Sequence, residues 1–220
     1  MKPDPLQTLH DTLLEAFGDP RWWPADSPYE VMLGAVLTQN TAWRSVERSL
    51  DALRAACPGL DPRAVAALGE DALAELIRPS GFAARKAQYI RTLTAWFAAY
   101  GFAPEAVQAL PLERARAELL ALRGVGRETA DSILLYAFGF PTFVVDAYTV
   151  RLASRLPLET ALTYEELKGF FEARLPREAA LFNRCHALIV RLAQRHCRKS
   201  RPLCGDCPLR GACRRQGVDG

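Results

Sequence analysis

Four cysteines near the C-terminus, Cys197, Cys204, Cys207 and Cys213, stand in the spacing Cys-x6-Cys-x2-Cys-x5-Cys. Four thiolates held this close repel one another unless a cation draws them together, so residues 197–213 read as a metal loop. Zinc and a four-iron [4Fe-4S] cluster both take four thiolates. Structural zinc ribbons bring two Cys-x2-Cys knuckles, whereas this chain has one, and its wider outer spacings favour the larger cubane. Pro202 and Pro208 stiffen the loop, and Gly205 and Gly211 allow turns that aim N–H groups at sulfur. The remaining cysteines, Cys57 and Cys185, fall in apolar-periodic segments and read as small core residues.

Charge around the loop is lopsided. Arg195, Arg198, Lys199, Arg201, Arg210, Arg214 and Arg215 outweigh Asp206 and Asp219. Two readings are open: a solvated tail, or a phosphate-binding loop held in shape by metal. Lysine occurs only at Lys2, Lys86, Lys168 and Lys199. Any lysine-dependent chemistry therefore has few candidates. The net charge of +3 neither demands nor excludes nucleic acid.

The chain of 220 residues reads as helices almost throughout. Asp4 caps a first helix with Pro5 at its first position, Leu6, Leu9, Leu13 and Phe17 follow at helical spacing, and Gly18 closes it. Tyr29 to Leu37 is nearly all apolar and reads as a buried helix. Val46, Leu50, Leu53 and Cys57 mark the next, and Ala87, Ile90, Leu93 and Phe97 another. A helix from Pro111 to about Leu122 is interrupted by Gly124-Val125-Gly126 and resumes from Arg127 to about Phe138. Thr163-x-x-Glu166 is a capping box. Leu181, Cys185, Leu188 and Leu192 carry the last helix into the cysteine loop. The only β-like run, Thr142 to Val145, is too short for a sheet. The fold class expected is all-α, with around ten helices by this pattern.

The Gly124-Val125-Gly126 turn is suited to conformations closed to other residues. It presents N–H groups at the start of the following helix, which makes it either an anion site, for which a phosphodiester is the natural ligand, or a plain helix–helix turn. Asp146 follows an apolar run and precedes a helix, the position of an N-cap. Capping and a catalytic role are compatible, because a helix N-terminus keeps the carboxylate ionised.

Taken together, the hairpin Leu122–Ala130, the Val145-Asp146 step and the cysteine tail resemble the endonuclease III family of helix-hairpin-helix DNA glycosylases. The likeness covers nearly the whole chain. It implies two helical domains with a DNA-binding cleft between them. Residues 25–140 would form a six-helix barrel containing the helix-hairpin-helix (about 114–138), and residues 1–24 plus 141–220 a second domain carrying a [4Fe-4S] loop. It implies a base-excision enzyme that flips a damaged base and cuts its N-glycosidic bond, with Asp146 matching the family's catalytic aspartate. Gly124, Val125, Gly126 and Arg127 would bind DNA phosphates. Gln39 matches the residue that fills the gap left by the flipped base, and Phe82 the opposing wedge. From the residues alone, Gln39 reads as part of a capping polar cluster and Phe82 as a core aromatic.

Two departures matter. Bifunctional members carry Lys where this chain has Glu128. Glutamate cannot form the Schiff base that permits strand cleavage, so a monofunctional enzyme using water is expected. Trp22-Trp23-Pro24, the Leu37–Trp43 segment and Glu128–Asp131 resemble the 3-methyladenine glycosylase branch. There Trp22, Trp23, Pro24 and Trp43 would line a pocket for alkylated purines; the alternative is that the tryptophans are packing residues. Ala147 follows Asp146 where that branch often has a larger or charged residue. Competing expectations are an oxidised-pyrimidine glycosylase with weak lyase activity and a non-catalytic DNA-binding or redox-sensing paralogue. The expected partner is double-stranded DNA containing damaged bases, and the expected state a monomer. No apolar run approaches the ~18 residues of a membrane span. The N-terminus lacks an apolar signal core, so a cytoplasmic protein is expected.

Overall fold

Helical periodicity dictates most of the chain, and the computed structural model, which describes residues 4–215 and 218, is helical with no strand among the described residues. Lys2 and Asp219 lie outside the described residues. The chain divides into a terminal unit, residues 1–22 with 141–220, and a central unit, residues 23–140. Trp22 belongs to the first and Trp23 to the second.

In the terminal unit, α1 (Pro5–Phe17) starts at Asp4, whose carboxylate accepts from the Leu6 N–H at 2.8 Å, and ends at Gly18 with φ +68°. Residues 142–145 are buried and form no regular element, the Phe143 N–H donating to Glu172 at 2.7 Å instead of pairing in a ladder. This run delivers Asp146 to the start of one helix.

The helices below are numbered on from the central unit, which contains α2 (Pro28–Leu37), α3 (Trp43–Ala56), α4 (Pro62–Ala67), α5 (Glu70–Leu76), α6 (Ala83–Ala99), α7 (Pro104–Gln108), α8 (Leu112–Ala121) and α9 (Arg127–Ser132). The terminal unit resumes with α10 (Ala147–Arg155), α11 (Tyr164–Arg174) and α12 (Ala179–Arg195). Helices α1 and α10 both pack on α12. Phe143 stacks on Phe171 at 4.2 Å between ring centres and meets Phe182 edge-on, each ring essentially buried. Burial of this kind stabilises by about 1.5–3 kcal/mol per side chain. The capping box forms, Thr163 Oγ1 accepting from the Glu166 N–H at 3.4 Å.

In the central unit α2 is the buried spine. Ser27 caps it, Pro28 opens it, and every residue from Tyr29 to Leu37 is buried. It packs against α3, α6 and the segment after α9. Cys57 caps α3 from one residue beyond its end and is buried, as is Cys185 on α12. The single helix predicted from Arg127 to Phe138 is two: α9, then a π-helical turn over Ile133–Ala137. Beyond this π-turn, Gly139 at φ +70° lets the Phe140 N–H cap the Leu134 carbonyl at 2.9 Å. Such π-turns occur often at functional sites, and this one carries Tyr136.

Candidate functional site

The hairpin between α8 and α9 is built from three supports. Val125 is buried between the helices. Arg116 on α8 grips Asp131 on α9 with two hydrogen bonds of 2.8 and 3.0 Å, and Asp131 is fully buried. Breaking such a pair by removing one partner costs about 3–5 kcal/mol. Gln39 Nε2 donates to the Gly124 carbonyl at 2.9 Å and to Thr129 Oγ1 at 3.0 Å. The two glycines differ. Gly124 has φ +87°, and a Cβ there would meet the Tyr89 ring at 2.2 Å. Gly126 has φ −89°, an ordinary conformation, with open space where a Cβ would stand. The expectation that both glycines adopt special conformations is therefore corrected: only Gly124 does. At Gly126 a side chain is missing where the outer face of the turn is open. The exposed Gly126, Arg127 and Glu128 begin α9, whose first N–H groups have no intrahelical carbonyl to reach.

Gln39 and Phe82 sit on two loops of the central unit that are joined by the bond from Thr41 Oγ1 to the Ser80 carbonyl. Phe82 is 64% exposed and sits in the left-handed region at φ +50°, directly after Gly81 at φ +67°. It is not the core aromatic that its residue type alone suggests. Arg85 lies over its ring, 5.9 Å from the centre. Trp23 packs its indole on Gly34 of α2, where a Cβ would stand 3.2 Å from the ring. Trp43 meets it edge-on at 5.4 Å and Tyr136 is tilted against it at 5.3 Å. All three are half-buried, so each keeps some surface accessible. Tyr136 was missed by the sequence reading, because only the π-turn brings it beside Trp23. Pro24 is exposed, and Trp22 is half-buried in the terminal unit.

Asp146 caps α10. Its Oδ1 accepts from the Thr149 N–H at 2.7 Å and from the Thr149 hydroxyl at 2.9 Å. Its Oδ2 stands 3.4 Å from His186 Nε2 on α12, the carboxylate being 12% exposed. Burial by itself would raise the carboxyl's pKa; the charge and hydrogen bond of His186, then the two Thr149 bonds, outweigh it and hold Asp146 below the usual carboxylate range. His186, 40 residues downstream in sequence, carries no local motif that could have marked it. Two of the described lysines, Lys86 and Lys168, are committed elsewhere. Lys86 is 2% exposed, burial pushing its pKa down to about 8. Lys168 is paired with Glu172, and Lys199 is exposed on the cysteine loop.

The four cysteines line one small cavity with Leu152, Leu192 and Leu203. Arg155, itself buried, donates to Cys197 Sγ at 3.1 Å, and the Arg215 N–H donates to Cys213 Sγ at 3.4 Å. Burial pushes the Cys207 thiol up, the Leu209 N–H pulls it back, and the other three cysteines push it up again. That mutual repulsion and those N–H donors suit thiolates gathered on a cation. Among the described residues no three His, Cys, Asp or Glu side chains converge as one metal ion requires. A cubane binds each thiolate to a different iron, so its ligands stand farther apart than those of a single zinc.

Residues 33–177 match the model of the HhH-GPD superfamily base excision DNA repair proteins. A Methanocaldococcus jannaschii protein that bears the name of a DNA repair glycosylase is 42% identical over 94% of this chain and 95% of its own. Endonuclease III of Thermotoga maritima is 29% identical over 90% of this chain and 89% of its own. Among solved structures, the H. pylori 3-methyladenine DNA glycosylase MagIII, bound to 1,N6-ethenoadenine, superposes with a TM-score of 0.73 at 31% identity, over 86% of this chain and 95% of that one. A non-covalent endonuclease III–DNA complex gives 0.78 at 25% identity, over 96% and 94%. The chain belongs to the HhH-GPD superfamily. Its class is that of the base-excision DNA glycosylases, and DNA is its partner.

Proposed function

We propose that this glycosylase removes alkylated purines of the 3-methyladenine type by base flipping and Asp146-assisted attack of water, leaving an uncut abasic strand. Two separate observations carry the reading: an Asp146 that stays ionised though only 12% exposed, and a glutamate at position 128, where bifunctional members of the family have lysine.

Base loss breaks the C1′–N bond. The bonding electrons leave with the base, and positive charge builds on the sugar as in glycoside hydrolysis. A carboxylate that stays ionised while buried stabilises this charge more strongly than one in water. Water then adds at C1′ and its proton passes to solvent. Lyase chemistry needs an amine instead of water. Glu128 has none, the Lys86 amine is enclosed by three acceptors, and Lys168 is held by Glu172.

The substrate class is supported by the aromatic face of Trp23, Trp43 and Tyr136, with Trp22 and Pro24 flanking it in sequence. Electron-rich indoles favour electron-poor, cationic alkylpurines over normal bases. Such bases leave readily, so one carboxylate suffices. The 31% identity to a 3-methyladenine glycosylase supports the same class. Exposed Phe82 suits a wedge that enters the stack. The outer face of the hairpin at Gly126 and Arg127 suits a phosphate. Cys197, Cys204, Cys207 and Cys213 would hold a [4Fe-4S] cluster whose contribution is to cross-link the basic loop. The protein would act as a monomer.

A base-release assay over a lesion panel tests this. Release of 3-methyladenine and 7-methylguanine with an intact backbone is expected. Release of thymine glycol with strand cleavage would identify an oxidised-pyrimidine enzyme instead. Lesion binding without turnover would identify a non-catalytic paralogue.

A further inference from the structure

Lys86 lies in the first turn of α6, buried, with no part in the chemistry proposed above. Its ammonium donates three hydrogen bonds: to the Leu37 carbonyl at the end of α2, 2.7 Å; to Thr41 Oγ1, 2.7 Å; and to the Ser80 carbonyl, 2.9 Å. These acceptors come from the two ends of the loop that carries Gln39 and from the loop that carries Phe82. We propose that Lys86 is a positioning residue that fastens the Gln39 loop to the Phe82 loop, so that both enter the duplex as one rigid unit. The inference rests on the reading of Gln39 and Phe82 as the residues that enter DNA.

The surrounding bonds serve the same end. Thr41 Oγ1 lies 2.7 Å from the Ser80 carbonyl and 3.1 Å from the Gln39 carbonyl, so one hydroxyl bridges both loops. Ser49 Oγ meets Ser80 Oγ at 2.7 Å and fixes the second loop to α3. Gln39 continues the chain of bonds to Gly124 and Thr129 on the hairpin. Phe82 needs such support. It holds a left-handed conformation unfavourable for an aromatic residue, and most of its ring has no protein packing to hold it. Lysine suits the junction: an ammonium has three donors and no acceptor, on a stem flexible enough to reach three oxygens from separate segments of the chain.

The test uses the full chain and a duplex carrying a stable tetrahydrofuran abasic analogue opposite 2-aminopurine. No bond is cleaved, so the readout does not depend on lesion preference. Wild type at saturation raises the 2-aminopurine fluorescence as side chains unstack it, and Phe82→Ala loses that rise. Lys86→Met and the milder Thr41→Val are each checked for native far-UV circular dichroism. Both are expected to lose the rise as Phe82→Ala does, while binding undamaged duplex with wild-type affinity, since the phosphate contacts lie elsewhere. If Lys86→Met does not fold, Thr41→Val decides. A folded variant that keeps the full rise overturns the inference alone. A wild type with no rise overturns the wedge reading and this inference with it, whatever bases the enzyme releases.

Discussion

The ring of Tyr89 occupies the place of a Cβ on Gly124: an added carbon would stand 2.2 Å from the ring atoms. This glycine is needed twice, for its positive φ and for the approach of Tyr89 from α6. Gly124→Ala should therefore lower stability by about 2 to 5 kcal/mol, the sum of left-handed strain and overpacking. Thermal or urea unfolding measures it. Tyr89→Ala combined with Gly124→Ala should recover the packing part and leave the backbone part. A single variant as stable as wild type would contradict the geometry.

Gly126, two residues on, makes the opposite prediction. Its φ is ordinary and nothing stands within 4 Å of a Cβ. Gly126→Leu should melt close to wild type yet bind duplex DNA more weakly, because the side chain would block the backbone's approach to phosphate. Affinity of the wild type should fall steeply with salt and vary little with sequence. Titrations at two salt concentrations check both; unchanged affinity of Gly126→Leu would remove the hairpin from the DNA interface.

Asp146→Asn keeps the size of the side chain and removes its charge. Base release should slow by at least ~100-fold, the scale of losing one electrostatic group in a catalytic site. The pH dependence of stability follows from the same carboxylate. Its pKa is lowered on folding, so its contribution is fully present above the unfolded value, ~3.9, and is lost as pH falls through the lower folded value. Acid unfolding curves of wild type and Asp146→Asn should be fully separated above pH ~4 and draw together as pH falls below it. Curves that stay equally separated down to strongly acid pH would mean that the carboxyl titrates normally.

Much of this was legible in sequence, and the exceptions share a cause. Thirteen to seventeen residues of repeating apolar pattern announce α1, α3, α6 and α12. Helices α4, α5 and α7 are five to seven residues long, too short for a periodicity to register. The π-turn after Ser132 leaves no mark in an apolar run, and with it went Tyr136. Asp146 and the hairpin are local motifs and could be read directly. His186 could not, since its role depends on α12 packing against the start of α10. Lys86 was counted in sequence only as a spare amine; its three acceptors come from positions 37, 41 and 80, which only the folded chain assembles.

The cysteine loop predicts a coloured protein. Purified chain should be yellow-brown, with about four iron per molecule, as a cubane on four thiolates requires. Stoichiometric zinc in a colourless protein would refute the cluster. Cys204→Ser should lose iron and weaken DNA binding, because Arg198, Lys199, Arg201 and Arg210 ride on the loop. It should leave far-UV helicity nearly unchanged, since none of the helices α1 to α12 includes loop residues 197–213.

Glu128 makes the sharpest test of chemistry. It stands exposed in the first turn of α9, where a longer amine would project from the same backbone position. With glutamate there, borohydride should trap little or no covalent protein–DNA adduct from a lesion duplex, because a Schiff base needs a free amine at the sugar. Lys86 cannot substitute without breaking three hydrogen bonds and leaving a site 2% exposed. Strong trapping by wild type would overturn the monofunctional reading, and trapping that survives Lys86→Met would point to Lys199 or the N-terminus as the amine. Glu128→Lys supplies the converse. The substitution is sterically open, so the protein should fold, and some trapping should appear. Its preference among lesions should not move to oxidised pyrimidines, because Trp23, Trp43 and Tyr136 are untouched. A switch of lesion preference along with the trapping would show that position 128, and not the aromatic face, selects the base.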